Sequence, residues 1–160
     1  MSFRVGIGHD VHRLVLGRQL MLGGIEVPHT HGLSGHSDAD VVLHAICDAM
    51  LGAAGLGDIG EHFPDTDVKY KGISSSMLLK QVAQKVHDAG WAVENVDVMI
   101  LAQEPKLQEF KPKMKYHIAL ELNIDRPQVN IKAGTNEGLG FIGAQEAIAA
   151  YAVVLLKKRS

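Results

Sequence analysis

Hydrophobic and polar positions alternate along this chain with two different periods. Over residues 3–12, apolar side chains recur at every second position (Phe3, Val5, Ile7) before polar groups take over. This is the pattern of a strand, with those three side chains expected in the core. Leu20–Leu22 and Ile25–Val27 flank Gly23 and Gly24, a two-residue loop suited to a tight hairpin because glycine enters positive-φ positions freely. A helix is expected over residues 38–54, capped by Ser37 or Asp38, with Val42, Leu43, Ile46, Cys47, Met50 and Leu51 as its buried stripe. Residues 55–67 form a long loop containing Gly, Asp and Pro, and long ordered loops often carry function.

Ser74, Ser75 and Ser76 are placed to cap a second helix that Gly90 ends. Val96, Val98 and Ile100 alternate with Asp97, Met99 and Leu101 in a strand that stops near Ala102. Pro105 breaks it, and Pro112 opens a third helix reaching about Leu122. Residues 129–133 read as another strand. The glycine-rich segment 134–143 leads into a strongly apolar stretch expected to be a last helix, whose Lys157, Lys158 and Arg159 suit a helix C-terminus. Strands alternating with helices predict an α/β fold of the α+β type. Its form is a two-layer sandwich, a mixed sheet with helices on one face, built as one domain over residues 1–160.

Composition narrows the function classes. With 160 residues, 46% apolar and 21% charged, the chain can bury a real core. A formal charge of −2 leaves no basic surplus to drive binding to nucleic acid or to anionic lipid. The single Cys47 excludes an intrachain disulfide framework and fits a reducing compartment. The apolar run 147–156 is half of what a membrane span needs, and no secretory signal is visible. A soluble cytoplasmic or organellar protein without membrane or nucleic-acid partners is expected, the cytoplasm being the location favoured.

Six of the nine histidines (His9, His12, His29, His31, His36 and His44) precede residue 45. Asp10 and His12, two apart on a strand, project from one face. His44 lies on the first helix, with Asp40 and Asp48 one turn to either side. If that stripe faces the strand, Asp10, His12 and His44 form an O/N/N site. Three protein ligands and an open position are the pattern of a catalytic zinc. Asp40 and Asp48 are then placed to orient His44 through its second nitrogen. On the residues alone, a hydrogen-bonded core histidine or a solvated helix face stays an alternative. His36 and Ser37 add a polar cluster at the helix's positive end. Thr135, Asn136 and Glu137 sit in a Gly-rich strand-to-helix loop that either holds phosphate or simply connects. Glu137 also suits Mg²⁺, which takes one or two carboxylates plus substrate phosphates. Residues 102–107 either read a base edge or make a turn.

Seven motifs in order narrow these alternatives: D-V-H at 10–12, H-S-D-A-D at 36–40, L-G-D-I-G at 56–60, F-P-D-T-D at 63–67, N-V-D-V at 95–98, A-Q-E-P-K at 102–106 and T-N-E-G-L-G-F at 135–141. Together they resemble the 2-C-methyl-D-erythritol 2,4-cyclodiphosphate synthase family of the non-mevalonate isoprenoid pathway, over nearly the whole chain. The resemblance implies a homotrimer with active sites at subunit interfaces. The substrate would be 4-diphosphocytidyl-2-C-methyl-D-erythritol 2-phosphate, a cytidine diphosphate-linked small molecule, and the products the cyclic diphosphate and CMP. Zinc falls on Asp10, His12 and His44, one ion per site. His36 and Thr135 match positions credited with aiding the transition state, and Glu137 the ligand of a second ion, Mg²⁺ or Mn²⁺. Asp58, Ile59 and Gly60 match ribose contacts. Ala102, Gln103, Glu104, Pro105, Lys106, Leu107 and Gln108 match the cytosine pocket. Phe63, Pro64, Asp65, Thr66 and Asp67 match the loop beside the methylerythritol end. Ser37, Gly134, Asn136 and Phe141 complete the expected substrate-binding set. The chain departs from the family pattern at Gly134 (commonly Thr), at Gly138 (often Lys) and at Ala144, where many members carry an Arg facing the trimer channel. Besides this cyclising lyase, a metal-dependent phosphohydrolase and a non-catalytic metal-binding module are the competing readings.

Overall fold

The computed structural model describes residues 1–160. Its first strand, β1 (Phe3–Leu16), sorts its surroundings by the parity of its residues. Gly6 and Gly8 face the helix layer. A Cβ on Gly6 would overlap the Ala49 carbonyl and the Ala53 amide, and one on Gly8 would overlap the Ala45 carbonyl. Strand alternation places Asp10 and His12 on this same side. The odd residues look away: Phe3, Val5, Ile7 and Val11 are exposed, Val5 and Ile7 by 68% and 70%. The expectation that Phe3, Val5 and Ile7 fill the core is therefore corrected. The core side of this strand carries glycines, which a hydrophobicity pattern does not register.

The glycines let a helix lie directly on the strand. In α1 (Val41–Ala54) only His44, Asp48 and Gly52 are not buried, and Gly55 ends the helix in the left-handed conformation at φ 74°. Its N-cap is Asp40, rather than Ser37 or Asp38, because the Asp40 Oδ1 accepts the N–H groups of Val42 and Leu43, both at 3.1 Å. The same carboxylate accepts Gly23 N–H at 2.9 Å and Gly24 N–H at 2.7 Å. It thereby ties the β2 (Leu20–Leu22) and β3 (Ile25–Val27) hairpin to the start of α1. Burial pushes this carboxyl up, against the pull of the backbone N–H groups.

Five strands form the main sheet. Their order is β4 (His31–Leu33), β1, β7 (Ala147–Lys158), β5 (Trp91–Leu101) and β6 (Val129–Gly134). Only β5 and β6 are parallel. α3 (Ser75–Asp88) packs on α1, and α4 (Lys111–Leu122) on α3 and β6. Short helices α2 (Ile59–His62) and α5 (Gly140–Gly143) interrupt the connections. The expected class holds: a mixed sheet with its helices on one face. One cluster of 38 buried residues fills the space between the layers.

The last segment departs from expectation. Residues 147–158 form β7, a central strand hydrogen-bonded to β1 on one edge and β5 on the other. Ile148, Ala150, Ala152, Val154 and Leu156 are buried toward the helices, while Tyr151 and Val153 stand exposed on the opposite face. Both faces of β7 are apolar, so the run lacks a two-residue alternation and reads as a buried helix.

Candidate metal centre and flanking clefts

Because α1 rests on the glycines of β1, His44 comes down onto the polar end of that strand. Asp10 Oδ2 lies 3.1 Å from His12 Nε2 and 2.9 Å from His44 Nδ1. One donor atom from each of the three lies within 4.8 Å of the others. A tetrahedral zinc with bonds of about 2.0–2.1 Å sets its ligands about 3.3 Å apart, so the observed spacings fit. Burial raises the Asp10 carboxyl, but hydrogen bonds and charge from His12 and His44 outweigh it and hold the group at about 2. His12 is shifted up, chiefly by its hydrogen bond to Asp10, and burial only partly offsets this.

The far nitrogen of His44 is engaged differently than expected. His44 Nε2 lies 2.9 Å from Ser75 Oγ and 3.3 Å from Ser37 Oγ. Ser75, fully buried, donates its hydroxyl to Asp38 Oδ1 and its N–H to Asp38 Oδ2 at 3.1 Å. Neither Asp40 nor Asp48 orients His44. Asp40 is spent on four backbone N–H groups, and Asp48 Oδ1 accepts Ile59 N–H at 2.8 Å. Asp48 thus anchors α2, and the one-turn spacing to His44 reflects helix position alone.

A cavity of about 190 Å³ opens beside the triad. His12, His36, Ser37, His44, Ile59, Gly60, Phe63 and Asp65 line it, with Tyr70, Ile73 and Leu78 as an apolar wall. Phe63 and Tyr70 meet edge to face at 5.2 Å between centroids. Gly72 N–H donates to the His36 carbonyl at 3.1 Å, fixing the segment that carries Tyr70 and Ile73. A second cleft, about 360 Å³, is lined by Ala102, Gln103, Glu104, Pro105, Lys106, Leu107, Gln108, Lys111, Ala133, Gly134 and Thr135. It opens where the parallel strands β5 and β6 end, the place where open sheets commonly bind ligands.

The family model described as the YgbB family matches residues 3–157. The chain belongs to the YgbB family. A curated relative from Syntrophomonas wolfei, named 2-C-methyl-D-erythritol 2,4-cyclodiphosphate synthase, is 59% identical over 155 residues, 97% of this chain and 99% of its own. Among solved structures, the bifunctional IspDF of Campylobacter jejuni superposes with a TM-score of 0.95 at 47% identity, over 98% of this chain and 42% of that longer one. IspF of Plasmodium falciparum, solved as a CDP complex, superposes with a TM-score of 0.87 at 32% identity, over 99% of this chain and 98% of its own. The enzyme family expected from the seven motifs is therefore the family found.

Against this YgbB-family frame, other expected residues sit outside the two clefts. Asp58 caps α2, accepting Glu61 N–H at 3.0 Å, and Asp67 accepts Lys69 N–H at 3.0 Å at a short 3₁₀ turn. Pro64 and Thr66 are exposed between them. Asn136 and the exposed Glu137 lie on the loop beyond β6, where Glu137 N–H donates to Thr135 Oγ1 at 3.2 Å. That loop is joined to the second cleft by Gly138 N–H donating to Gln103 Oε1 at 3.1 Å. Phe141 borders a small hollow with Val11, His12 and Arg13. Sequence reasoning missed Ser75, Tyr70, Ile73, Leu78 and Lys111. In the sequence Ser75 is only one of three serines suited to capping. Ser74 is the actual N-cap of α3, while Ser76 bonds His117 at 2.9 Å.

Proposed function

We propose that the chain converts 4-diphosphocytidyl-2-C-methyl-D-erythritol 2-phosphate into 2-C-methyl-D-erythritol 2,4-cyclodiphosphate and CMP in the cytoplasm. The observation carrying this reading is a single carboxylate oxygen, Asp10 Oδ2, within 3.1 Å of two imidazole nitrogens on the wall of a cavity that also holds His36. An oxygen of the substrate's 2-phosphate attacks the β-phosphorus. The bond from that phosphorus to the oxygen bridging the α-phosphate breaks, and its electron pair leaves with CMP. The nucleophile is already an anion, so no strong protein base is needed. Positioning and charge neutralisation are the main tools for phosphoryl transfer.

Asp10, His12 and His44 would hold zinc and Glu137, with substrate phosphates, Mg²⁺ or Mn²⁺; bound there, such ions polarise phosphoryl oxygens and neutralise their charge. His36 and Thr135 donate hydrogen bonds to oxygens that gain charge in the transition state, a role worth about 2.7–4 kcal/mol for one donor. Asp58, Ile59 and Gly60 take the ribose. Residues 102–108 take the cytosine, with Gly134 and Asn136 closing that side. Residues 63–67 cover the methylerythritol end, with Ser37 and Phe141 beside the phosphates.

The active form is a homotrimer. The sheet face opposite the helices exposes Val5, Ile7, Tyr151 and Val153 with no helix over them, an apolar surface suited to a second copy of the chain. Asp10 pairs with Ala150, Ala150 with Ile100 and Ile100 with Ala133. Triad and cytosine cleft of one chain are thus three strand spacings apart, about 14 Å. A subunit interface brings the cleft of one chain to the triad of the next.

Incubation of zinc- and magnesium-loaded protein with the substrate, followed by ³¹P NMR, tests the reaction. The cyclic diphosphate and CMP are expected. A linear monophosphate would identify a phosphohydrolase, and no turnover with unfolding on chelation a structural metal module. His44→Ala is expected to keep the far-UV spectrum, lose zinc and slow CMP release roughly 10²- to 10³-fold. Turnover at the unmodified rate would remove the metal reading.

A further inference from the structure

Three polar side chains behind the triad, none of them a metal ligand, are arranged so that their protons have only one consistent placement. Asp38, as a carboxylate, can only accept hydrogen bonds. Ser75 gives it both of its donors, the hydroxyl to Oδ1 and the backbone N–H to Oδ2 at 3.1 Å. A serine hydroxyl has one proton, so toward His44 Nε2, 2.9 Å away, Ser75 Oγ presents a lone pair. The Nε2 must therefore carry a proton, so a neutral His44, the form that binds a metal, has a bare Nδ1. Nδ1 is the atom that faces Asp10 Oδ2 at 2.9 Å. Two bare acceptors at that distance repel unless a cation lies against both, which is the condition a metal site needs. Ser37 Oγ, at 3.3 Å from the same Nε2, already accepts the Ala39 N–H at 3.1 Å and is the weaker contact.

We infer that Asp38 and Ser75 are positioning residues that lock His44 in the Nε2–H tautomer and aim its Nδ1 at the metal. The inference rests on the triad being a metal site. The segments involved reach this point from different parts of the chain: the H-S-D-A-D loop, the first residue of α3 and the first turn of α1. Ala39 adopts φ 57° between Asp38 and Asp40, so two carboxylates one residue apart are turned to separate tasks. One goes to Ser75 and the other to the cap of α1.

The test is zinc affinity, measured by competition with a chromophoric chelator, together with the visible spectrum of the Co²⁺-loaded protein. Outer-shell partners of metal-bound histidines typically control affinity by 10- to 100-fold. Ser75→Ala is expected to weaken zinc binding in that range. Asp38→Asn keeps the size of the side chain but offers an N–H₂ to Ser75, which reverses the hydroxyl and favours the Nδ1–H tautomer. It is expected to weaken binding at least as much and to shift the Co²⁺ ligand-field bands. Ser37→Ala is expected to stay within about threefold of the unmodified protein. Should Ser75→Ala not fold, Asp38→Asn decides alone. Zinc affinity and Co²⁺ spectrum unchanged in folded Asp38→Asn, or affinity unchanged in folded Ser75→Ala, overturn the inference. His44→Ala is the reference: if it too retains zinc, the triad reading fails, whereas if it alone loses zinc, only the tautomer lock fails.

Discussion

Gly8 of β1 and Ala45 of α1 approach so closely that a methyl carbon on Gly8 would lie 1.9 Å from the Ala45 carbonyl oxygen. This contact fixes the height of α1 above the sheet, and so the reach of His44, the next residue back, toward Asp10. Gly8→Ala must push the helix outward against a core with no free space. The expected loss is about 3 kcal/mol or more, read from urea denaturation, together with failure to retain zinc in the surviving fold. A variant of unchanged stability and zinc content would show that the helix is not held there by the strand.

Asp40 carries a structural load rather than the supporting role toward His44 that its spacing suggested. Asp40→Ala leaves the N–H groups of Gly23, Gly24, Val42 and Leu43 without their acceptor inside the protein. A loss of roughly 3–5 kcal/mol in unfolding free energy is expected. The folded fraction, isolated at low temperature, is expected to bind zinc at the stoichiometry of the unmodified chain. Zinc loss without loss of stability would return Asp40 to the metal site.

With no metal bound, the triad gives the protein a defined pH window. The Asp10 carboxyl, about 2 in the folded chain against an ordinary 3.8, contributes stability that is present above 3.8 and is lost as pH falls toward 2. With a quarter of its side chain exposed, that contribution is on the order of 1 kcal/mol. His12 works in the opposite sense: raised above its ordinary 6.5, it stabilises fully below 6.5 and ceases to do so as pH climbs through its folded value. Urea midpoints of the chelator-treated protein should therefore be highest between about 4 and 6.5. His12→Gln is expected to remove the decline on the alkaline side.

If the apolar sheet face joins subunits, one charge in it suffices to separate them. Ile7 is 70% exposed in the single chain, so Ile7→Lys is expected to leave the fold of each chain intact. Buried in a trimer, the lysine costs several kcal/mol per subunit. Light scattering is expected to show monomers, with CMP release reduced at least tenfold. An unaltered trimer would place the interface elsewhere.

Much of the site was legible because spacing alone constrains it. Asp10 and His12 share a strand face by parity, and His44 needs only a helix laid over that strand. The hairpin glycines, the α3 cap, the Pro112 start of α4, the strand before Pro105 and the strand from Val129 follow from local chemistry that the tertiary structure leaves in place. What misled was position within the sheet. Central strand β7 is apolar on both faces and lacks the alternation that marks a strand. β1 shows the alternation but with inverted meaning, since under α1 its buried side is Gly6 and Gly8, which carry no side chains. The partnership of Ser75 with Asp38 and His44 spans 37 and 31 residues, and a serine at a helix start is explained locally by capping.

The two faces of β1 have a genetic consequence. The candidate metal donors occupy its even positions and the proposed contact surface its odd ones, on the same stretch of backbone. Deleting or inserting one codon between those for Gly6 and Asp10 would rotate the far end of the strand by half a turn. Asp10 and His12 would then face outward, with Val11 and Arg13 under the helix. Such a frame-preserving lesion abolishes chemistry and assembly together, so length variation in this segment should be confined to the turns that precede and follow it.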